Sequence, residues 1–580
     1  MTAARLDTTD PKVTNPKITA PKATAPKATA PAVLLLGDDT RSFLTIARSL
    51  GHQGIAVHAA PQDFAAPALA SRHIVRQHRL PPWLGDGADW TDAMHRLLAA
   101  ERFDLVIPCD ETGLLPLQAG RATLARLARL AIPSDPAIAA LFDRHATRAL
   151  AAELGIPVAP GRPLTQADTA AGIAREFALP VAVKPRRSYR LDQLDRRGRV
   201  SLADSESALA LAMRDVGPDS HIVEAVLPGH GVGVSVLAHG GRLLQAFEHH
   251  RVREGPSGSY YRVSAPLTPA LFDAADALLG ALDYTGLAML EFRVDPDRRR
   301  WALLEVNARP WGSLPLPVAL GVDFPARWYR LLVHGEETQS VPYRAGVFGR
   351  NLLPDLEAGL AALPTRLRHP ARLAGGITRE LARLLSGRER QDVFAITDPA
   401  PAWHEATQLL GRVVRRLPSP ARMVRARRAA AGARAVLFLC QGNICRSPFA
   451  AAALRRALPP DSPISVASAG LLPRAPRPVT EAGRQAAAAH GIDLTDHLSH
   501  AATDADIAAA DLVVIFDETN RAALRCRHPK PGCPVIRLAS FTDDASDIAD
   551  PFGAPDALYH ATYDRIAAAV TRLAVALVHR

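Results

Sequence analysis

The sequence is short of cysteine, has no long apolar run, and places no aromatic residues among its densest arginines. Five cysteines in 580 residues is an odd number, and two of them lie in one short stretch, Cys440–Cys445. That excludes a secreted disulfide scaffold and predicts a reducing compartment, the cytoplasm. No uninterrupted apolar stretch of about 18 residues occurs, which excludes a transmembrane helix. The N-terminus lacks the apolar core of a signal peptide. The net charge is +11, but the excess is arginine gathered in one segment. From Ala406 to Ala435 there are eight arginines, no acidic residue and no interleaved aromatic ring. That argues against a stacking platform for single strands, so nucleic acid is not expected as a partner.

What is present is enough chain for several domains, each able to bury a core. Residues 1–31 carry a five-residue repeat, PKVTN-PKITA-PKATA-PKATA, with no large apolar face, and are expected to be a disordered basic tail. Residues 32–130 alternate strands with helices. Ala32–Leu36, Ile55–His58 and Leu105–Pro108 are apolar runs, and Ser42–Leu50 has a helical pattern. This predicts a parallel, Rossmann-like sheet. Gly37 is a lone glycine and argues for no dinucleotide. Cys109, before Asp110 and Glu111, reads as a small core residue.

Over 131–350 the charged residues fall inside apolar runs. Leu141-Phe142-Asp143-Arg144 opens a helix that ends near Leu154. Pro180–Pro185 is a buried strand carrying Lys184, whose charge needs an anionic partner there. Val223–Val226 is a further strand. Leu290–Val294 and Leu303–Asn307 form a hairpin, and period-two alternation puts Glu305 and Asn307 on one face with Glu291 projecting toward them. Two carboxylates and an amide oxygen suit a hard cation such as Mg²⁺. Gly229-x-Gly231-x-Gly233 follows the wrong element for a dinucleotide fingerprint. Phe247–Arg251 and Gly255–Arg262 read as a mobile substrate loop, and the adjacent His249 and His250 face opposite ways, which argues against a metal site.

These motifs, in this order, resemble the ATP-grasp superfamily, most closely its carboxylate–amine ligases. The resemblance implies ATP and Mg²⁺ as cofactors and a small carboxylate and an amine as substrates. It assigns Lys184, Arg144 and Arg309 to phosphate, Glu224 and Val226 to the adenine hinge, and Glu291, Glu305 and Asn307 to the metal. Lysine is usual at the position of Arg144, and arginine differs from it in shape and hydration. The departure keeps open a second reading, in which this part is a nucleotide-binding regulator without turnover.

Residues 351–434 read as a helical, arginine-rich connecting segment broken at Pro418-Ser419-Pro420. Beyond it, Val436–Leu439 is a short buried strand and Phe449–Leu454 opens a helix. Between them lies Cys440-Gln441-Gly442-Asn443-Ile444-Cys445-Arg446-Ser447. A loop from strand end to helix start aims backbone N–H groups and the helix dipole at an anion, and Arg446 adds a planar fork. A thiol in that field is expected to be a nucleophile for phosphorus. Ser447 can hydrogen-bond the thiolate, and Cys445 could close a reversible disulfide onto Cys440.

Cys440 through Pro448 resemble the signature of low-molecular-weight protein tyrosine phosphatases, and Ser468-Ala469-Gly470, Asp496-His497, Asp517–Asn520 and Asp550–Gly553 extend the likeness over 435–580. The resemblance implies a phosphotyrosine-containing protein as substrate, Cys440 as nucleophile, Arg446 as phosphate clamp, Asp550 as acid, Asn443 and Ser468 as supports of the loop, and no cofactor. Thiol arsenate reductases share the fold and use two further cysteines seven residues apart, a spacing that Cys526 and Cys533 have. Asp517 stands where that activity needs its first thiol, which favours the phosphatase. The expected fold is therefore a multidomain α/β and α+β chain: a Rossmann-like pre-ATP-grasp domain, an ATP-grasp fold and a parallel-sheet α/β phosphatase domain.

Overall fold

The computed structural model describes residues 30–578, except 195–196, 215, 218, 256–257, 296, 298–299, 362–377, 379, 381, 384, 417–419, 473–475, 529–530, 543–545 and 555. The repeat tail up to residue 29 and the Leu417–Ser419 part of the proline break lie outside the described residues. Two compact units are distinguishable. One comprises residues up to 401 without 168–180 and 202–216; the other comprises those two segments and residues 402 onward.

The first unit begins with a parallel sheet. Its strands are β1 (Ala32–Leu36), β2 (Ala56–Ala60), β3 (Ile74–Gln77) and β4 (Leu105–Pro108), in the order β3-β2-β1-β4. Helix α1 (Ser42–His52) follows β1, α2 (Ala88–Ala100) precedes β4, and α3 (Glu111–Ala119) follows it. Strand β3 and helix α2 were not predicted: β3 has the sequence IVRQ and is mostly exposed, so its pattern carries little signal.

After α4 (Arg144–Glu153) come β5 (Val181–Pro185) and β6 (His221–Ala225), which pair antiparallel. Gly229, between β6 and the next strand, has φ +109°, and a Cβ there would collide with the Val294 carbonyl. That is the reason for glycine at the position, and no dinucleotide is involved. A larger sheet then runs through β7 (His230–His239), β8 (Arg242–Gly255), β9 (Gly258–Ala265), β10 (Gly286–Val294), β11 (Trp301–Asn307), β12 (Phe348–Arg350) and β13 (Glu389–Gln391). Its order is β11-β10-β7-β8-β9-β12-β13.

Two expectations need correction here. The stretch read as a mobile substrate loop is the β8–β9 hairpin: Glu248 pairs with Ala265 and Arg251 with Arg262. Alternation there is masked because polar residues point into the fold, with Glu248, His249 and Arg262 all buried. The segment 351–434 is not helical throughout, since β13 adds parallel to β12. Ion pairs hold this extension. Arg262 pairs with Asp392 at 2.7 Å with both side chains inaccessible, and Arg350 reaches Asp355 at 2.9 Å and Glu389 at 2.8 Å. Buried charges of this kind stay only when partnered.

In the second unit, α5 (Pro420–Ala430) leads to a four-stranded parallel sheet of β14 (Ala435–Cys440), β15 (Ser465–Gly470), β16 (Leu512–Ile515) and β17 (Val535–Arg537), ordered β15-β14-β16-β17. Helices α6 (Arg446–Ala457), α7 (Glu481–Ala489), α8 (Glu518–Arg527) and α9 (Asp556–Val578) accompany it. Phe449 of α6 stacks on Tyr563 of α9 with ring centroids 4.0 Å apart. Ala426, Ala430 and Ala433 belong to the same buried cluster, so the arginine-rich helix contributes its small-residue face to this core. The chain enters at β14 and then builds to both sides of it. The carboxyl end of β14 is thus the point where strand order reverses, the usual place for a ligand in an open parallel sheet.

Candidate active site

Cys440 ends β14, and Arg446 and Ser447 open α6; all three are buried. The cap position of α6, Cys445, makes no side-chain cap bond. The N–H groups at this helix start are therefore not spent on a side-chain cap, which suits an anion. Gly470 lies against the loop: a Cβ there would stand 3.2 Å from the Gly442 carbonyl carbon and 3.3 Å from Asn443 Cβ.

Asn443 holds the loop's shape. Its φ of +51° is left-handed, which asparagine tolerates better than most side chains. Its backbone N–H donates to Cys440 Sγ at 3.2 Å, and its Nδ2 donates to Ser447 Oγ at 3.0 Å and Ser468 Oγ at 2.9 Å. Its Oδ1 accepts from the His500 N–H at 3.2 Å, and its carbonyl faces His497 Nε2 at 2.9 Å. A carbonyl partner requires the hydrogen on His497 Nε2, and burial lowers that ring's pKa despite the carbonyl's opposing pull.

Ser447 Oγ also lies 3.0 Å from Cys440 Sγ. Because Asn443 already donates to this hydroxyl, its own hydrogen is left for the sulfur, or for the Ala469 carbonyl at the longer distance of 3.5 Å. Arg446 donates to the Ile548 carbonyl at 2.8 Å, pairs with Asp517, and lies 2.8 Å from Asp550 Oδ2. Its Nε–H is buried and has no partner among the described residues. The two aspartates differ. Asp517 also caps α8 through the Asn520 N–H at 2.7 Å, and its side chain is 16 % exposed. Asp550 is not the cap of a helix; its Oδ1 accepts from the Phe552 N–H at 3.4 Å, and its side chain is 37 % exposed. Burial first, then the Asp550 and Cys440 charges, push the Cys445 thiol up to about 12.

The nucleotide-side residues predicted from the sequence also come together within their unit. Glu291 and Glu305 are register partners on β10 and β11, and Met289 faces Asn307. Asn307 Nδ2 donates to Glu291 Oε1 at 3.2 Å. Arg144 bonds Glu305 at 2.8 Å, the Pro185 carbonyl at 2.8 Å and Ser188 Oγ at 3.0 Å. Lys184 pairs with Glu224, whose other oxygen accepts from Arg148 at 3.2 Å. Val226 lies just past the end of β6 and is exposed. Burial opposes ionisation of Glu305, but Arg144 outweighs it and lowers its pKa. Burial raises the pKa of Glu291, against the pull of Arg251, with which it pairs. Oxygen donors sharing one face are the chemistry a hard cation takes, and here Arg144 pairs with Glu305 and Arg251 with Glu291.

Sequence reasoning missed Arg148, Arg251, Ser188 and Glu111. Glu111 accepts from Arg309 at 3.1 Å, so the start of α3 positions an arginine far along the chain. Arg148 stands one helical turn beyond Arg144, a spacing that could have found it. The others are joined only by the fold.

Residues 435–580 match the family model "Low molecular weight phosphotyrosine protein phosphatase", and 218–351 match "ATP-grasp in the biosynthetic pathway with Ter operon". The chain is 37 % identical over 117 residues to the "Probable low molecular weight protein-tyrosine-phosphatase EpsP" of Ralstonia nicotianae, covering 20 % of this chain and 77 % of that protein. It is 31 % identical over 140 residues to a protein-arginine-phosphatase of Geobacillus stearothermophilus, covering 24 % and 93 %. An L-amino acid ligase structure from Bacillus licheniformis aligns over 55 % of this chain and 78 % of its own, at 17 % identity and a TM-score of 0.42. Through residues 435–580 the chain belongs to the low-molecular-weight protein-tyrosine-phosphatase family, and that domain follows a region that matches the ATP-grasp family.

Proposed function

We propose that residues 435–580 hydrolyse phosphomonoesters through a phosphocysteine. The observation that carries this reading is the donor set around Cys440. Asn443 orients the Ser447 hydroxyl toward the sulfur, and the Arg446 Nε–H remains unspent beside it. Cys440 Sγ attacks phosphorus as the bond to the leaving oxygen breaks, and Asp550 gives that oxygen its proton. Arg446 and the N–H groups at the start of α6 receive the charge on the remaining phosphate oxygens. Asp550 then takes a proton from water as the water oxygen attacks phosphorus. The S–P bond breaks, inorganic phosphate leaves, and the thiolate returns to the Ser447 hydroxyl. Family membership favours phosphotyrosine as the substrate, and the arginine-phosphatase relative makes phosphoarginine the second substrate to assay. Acid quench of wild type with ³²P-labelled substrate should yield a cysteine-linked phosphate that Cys440→Ser lacks. A wild-type enzyme that turns over without such a species overturns the reading.

For the first unit we infer an ATP-dependent ligase-like activity. The ATP γ-phosphoryl group passes to a carboxylate oxygen, giving ADP and an acyl phosphate, and an amine nitrogen then displaces inorganic phosphate. Lys184, Arg144 and Arg309 would bind phosphate, with Glu224 and Val226 at the adenine hinge. Glu291, Glu305 and Asn307 would hold Mg²⁺, which when bound offsets nucleotide charge. The Arg144–Glu305 pair supports a second reading, a nucleotide-binding regulator without turnover. ADP release with a panel of carboxylates and amines separates the two. The odd count of five cysteines favours a reducing compartment, and no helix among the described residues is long and apolar enough to cross a membrane.

A further inference from the structure

His58, His78 and Glu101 meet at the edge of the first sheet, away from every residue assigned above. His58 lies on β2. His78 follows β3 and continues its pairing, with its N–H donating to the Ala59 carbonyl at 2.7 Å. Glu101 ends α2, its N–H bonded to Leu97. His58 Nδ1 lies 2.8 Å from His78 Nε2 and 3.3 Å from Glu101 Oε2, and His78 Nε2 lies 3.7 Å from the same oxygen. Four-coordinate ligands held about 2.0–2.1 Å from a metal stand roughly 3.3 Å apart, so the three atoms already have nearly the required spacing.

The surroundings hold this arrangement. The Phe103 ring meets both imidazoles edge-on, with centroids 5.1 and 6.1 Å away. Arg76 takes the other carboxylate oxygen, Oε1, at 2.8 Å, which turns Oε2 toward the rings. Arg76 is 62 % exposed, so its charge is largely screened by water. At 2.8 Å only one of the two facing ring nitrogens can carry a hydrogen, whereas a cation accepts a lone pair from all three atoms.

We infer that His58 Nδ1, His78 Nε2 and Glu101 Oε2 form a three-ligand site for a late first-row divalent cation such as Zn²⁺. Two imidazoles and one carboxylate select this class over Mg²⁺ and Ca²⁺, which take oxygen ligands. The side chains of His58, His78 and Glu101 are 15 %, 9 % and 23 % exposed, so solvent can supply a fourth ligand. The ion ties edge strand β3 to β2 and to the end of α2.

The test uses the full chain, dialysed against chelator and kept in excess Mg²⁺ to occupy oxygen-only sites. Titration with Co²⁺ should show one equivalent bound, with ligand-field bands of nitrogen and oxygen donors and no thiolate charge-transfer band. Zn²⁺ should displace the Co²⁺ and raise Tm. His78→Gln and Glu101→Gln should each weaken binding by at least about 10-fold. Circular dichroism of Glu101→Gln, a change at a partly exposed helix end, should match wild type. No binding, a thiolate band, or unchanged affinity in both variants overturns the assignment.

Discussion

In the Cys440 loop the thiol, the arginine and the serine lie within eight residues, and donors are left over. Around Glu305 the groups come from five separated stretches, and the charges placed there are already paired with one another. The first arrangement is local: one strand end, one left-handed residue and one helix start carry it. The second is assembled from β5, β6, β10, β11 and the start of α4, and Arg144, Lys184 and Arg309 each rest on a carboxylate. A contiguous site can keep spare hydrogen-bond donors because its backbone supplies them, although its one buried side-chain charge, Arg446, also rests on Asp517 and Asp550. A dispersed site built from side-chain charge must balance that charge before any ligand arrives, because unpaired buried charge costs several kcal/mol.

The comparison breaks most visibly at the nucleophile. Cys440→Ser should abolish hydrolysis of both phosphotyrosine and an activated aryl phosphate while leaving ATP binding unchanged; residual turnover on either ester would mean that another residue attacks. Asp550→Asn should cost about 10²–10⁴-fold with phosphotyrosine and less with the activated ester, whose leaving group needs no proton. An equal loss on both substrates would pass the acid role to Asp517 or another carboxylate, against the anchoring of Asp517 by its helix cap.

On the dispersed side, Lys184→Ala removes one charged donor and should weaken ATP binding by about 10–100-fold, measured by calorimetry. Glu305→Gln should lose Mg²⁺-dependent turnover with its circular dichroism intact. Unchanged ATP affinity in Lys184→Ala would remove the nucleotide from this cleft. A smaller effect concerns where the contiguous site's domain begins. Because Ala426, Ala430 and Ala433 are buried in its core, a fragment from residue 402 should exceed one from Ala435 in stability by about 1–3 kcal/mol in urea. Equal stability would make α5 a mere linker.

The last effect shows only at alkaline pH. Buried Cys445, at about 12, holds its proton more tightly than an unfolded thiol at roughly 8.5. The folded state therefore binds more protons in this window, and stability declines from about pH 8.5 until pH 12. The urea midpoint should fall over that range, less steeply in Cys445→Ala. An identical slope in the variant would assign the fall to other groups.

Much of the fold was readable because buried parallel strands are short apolar runs: β1, β4 and β14 stand out without any partner in view. The Cys440–Ser447 loop was readable because its chemistry is contiguous. Where the reading failed, polarity hid the pattern. Buried Glu248, His249 and Arg262 made β8 and β9 look like a loop, although Glu248 is bonded to Thr268 and Arg262 to Asp392. Strand β3 is too short and too exposed to show a period.

The sequence by itself determined the apolar strands β1, β4 and β14, the thiol–arginine loop, and the presence of Lys184, Glu291, Glu305 and Asn307 in apolar strands, since each depends on neighbours within a few residues. Only the tertiary structure decided that Arg144 sits on Glu305, that Glu111 holds Arg309, that β13 extends the large sheet, and that His58, His78 and Glu101 converge. Those pairings join residues up to about two hundred positions apart. They follow from strand register and helix packing, which local periodicity does not encode.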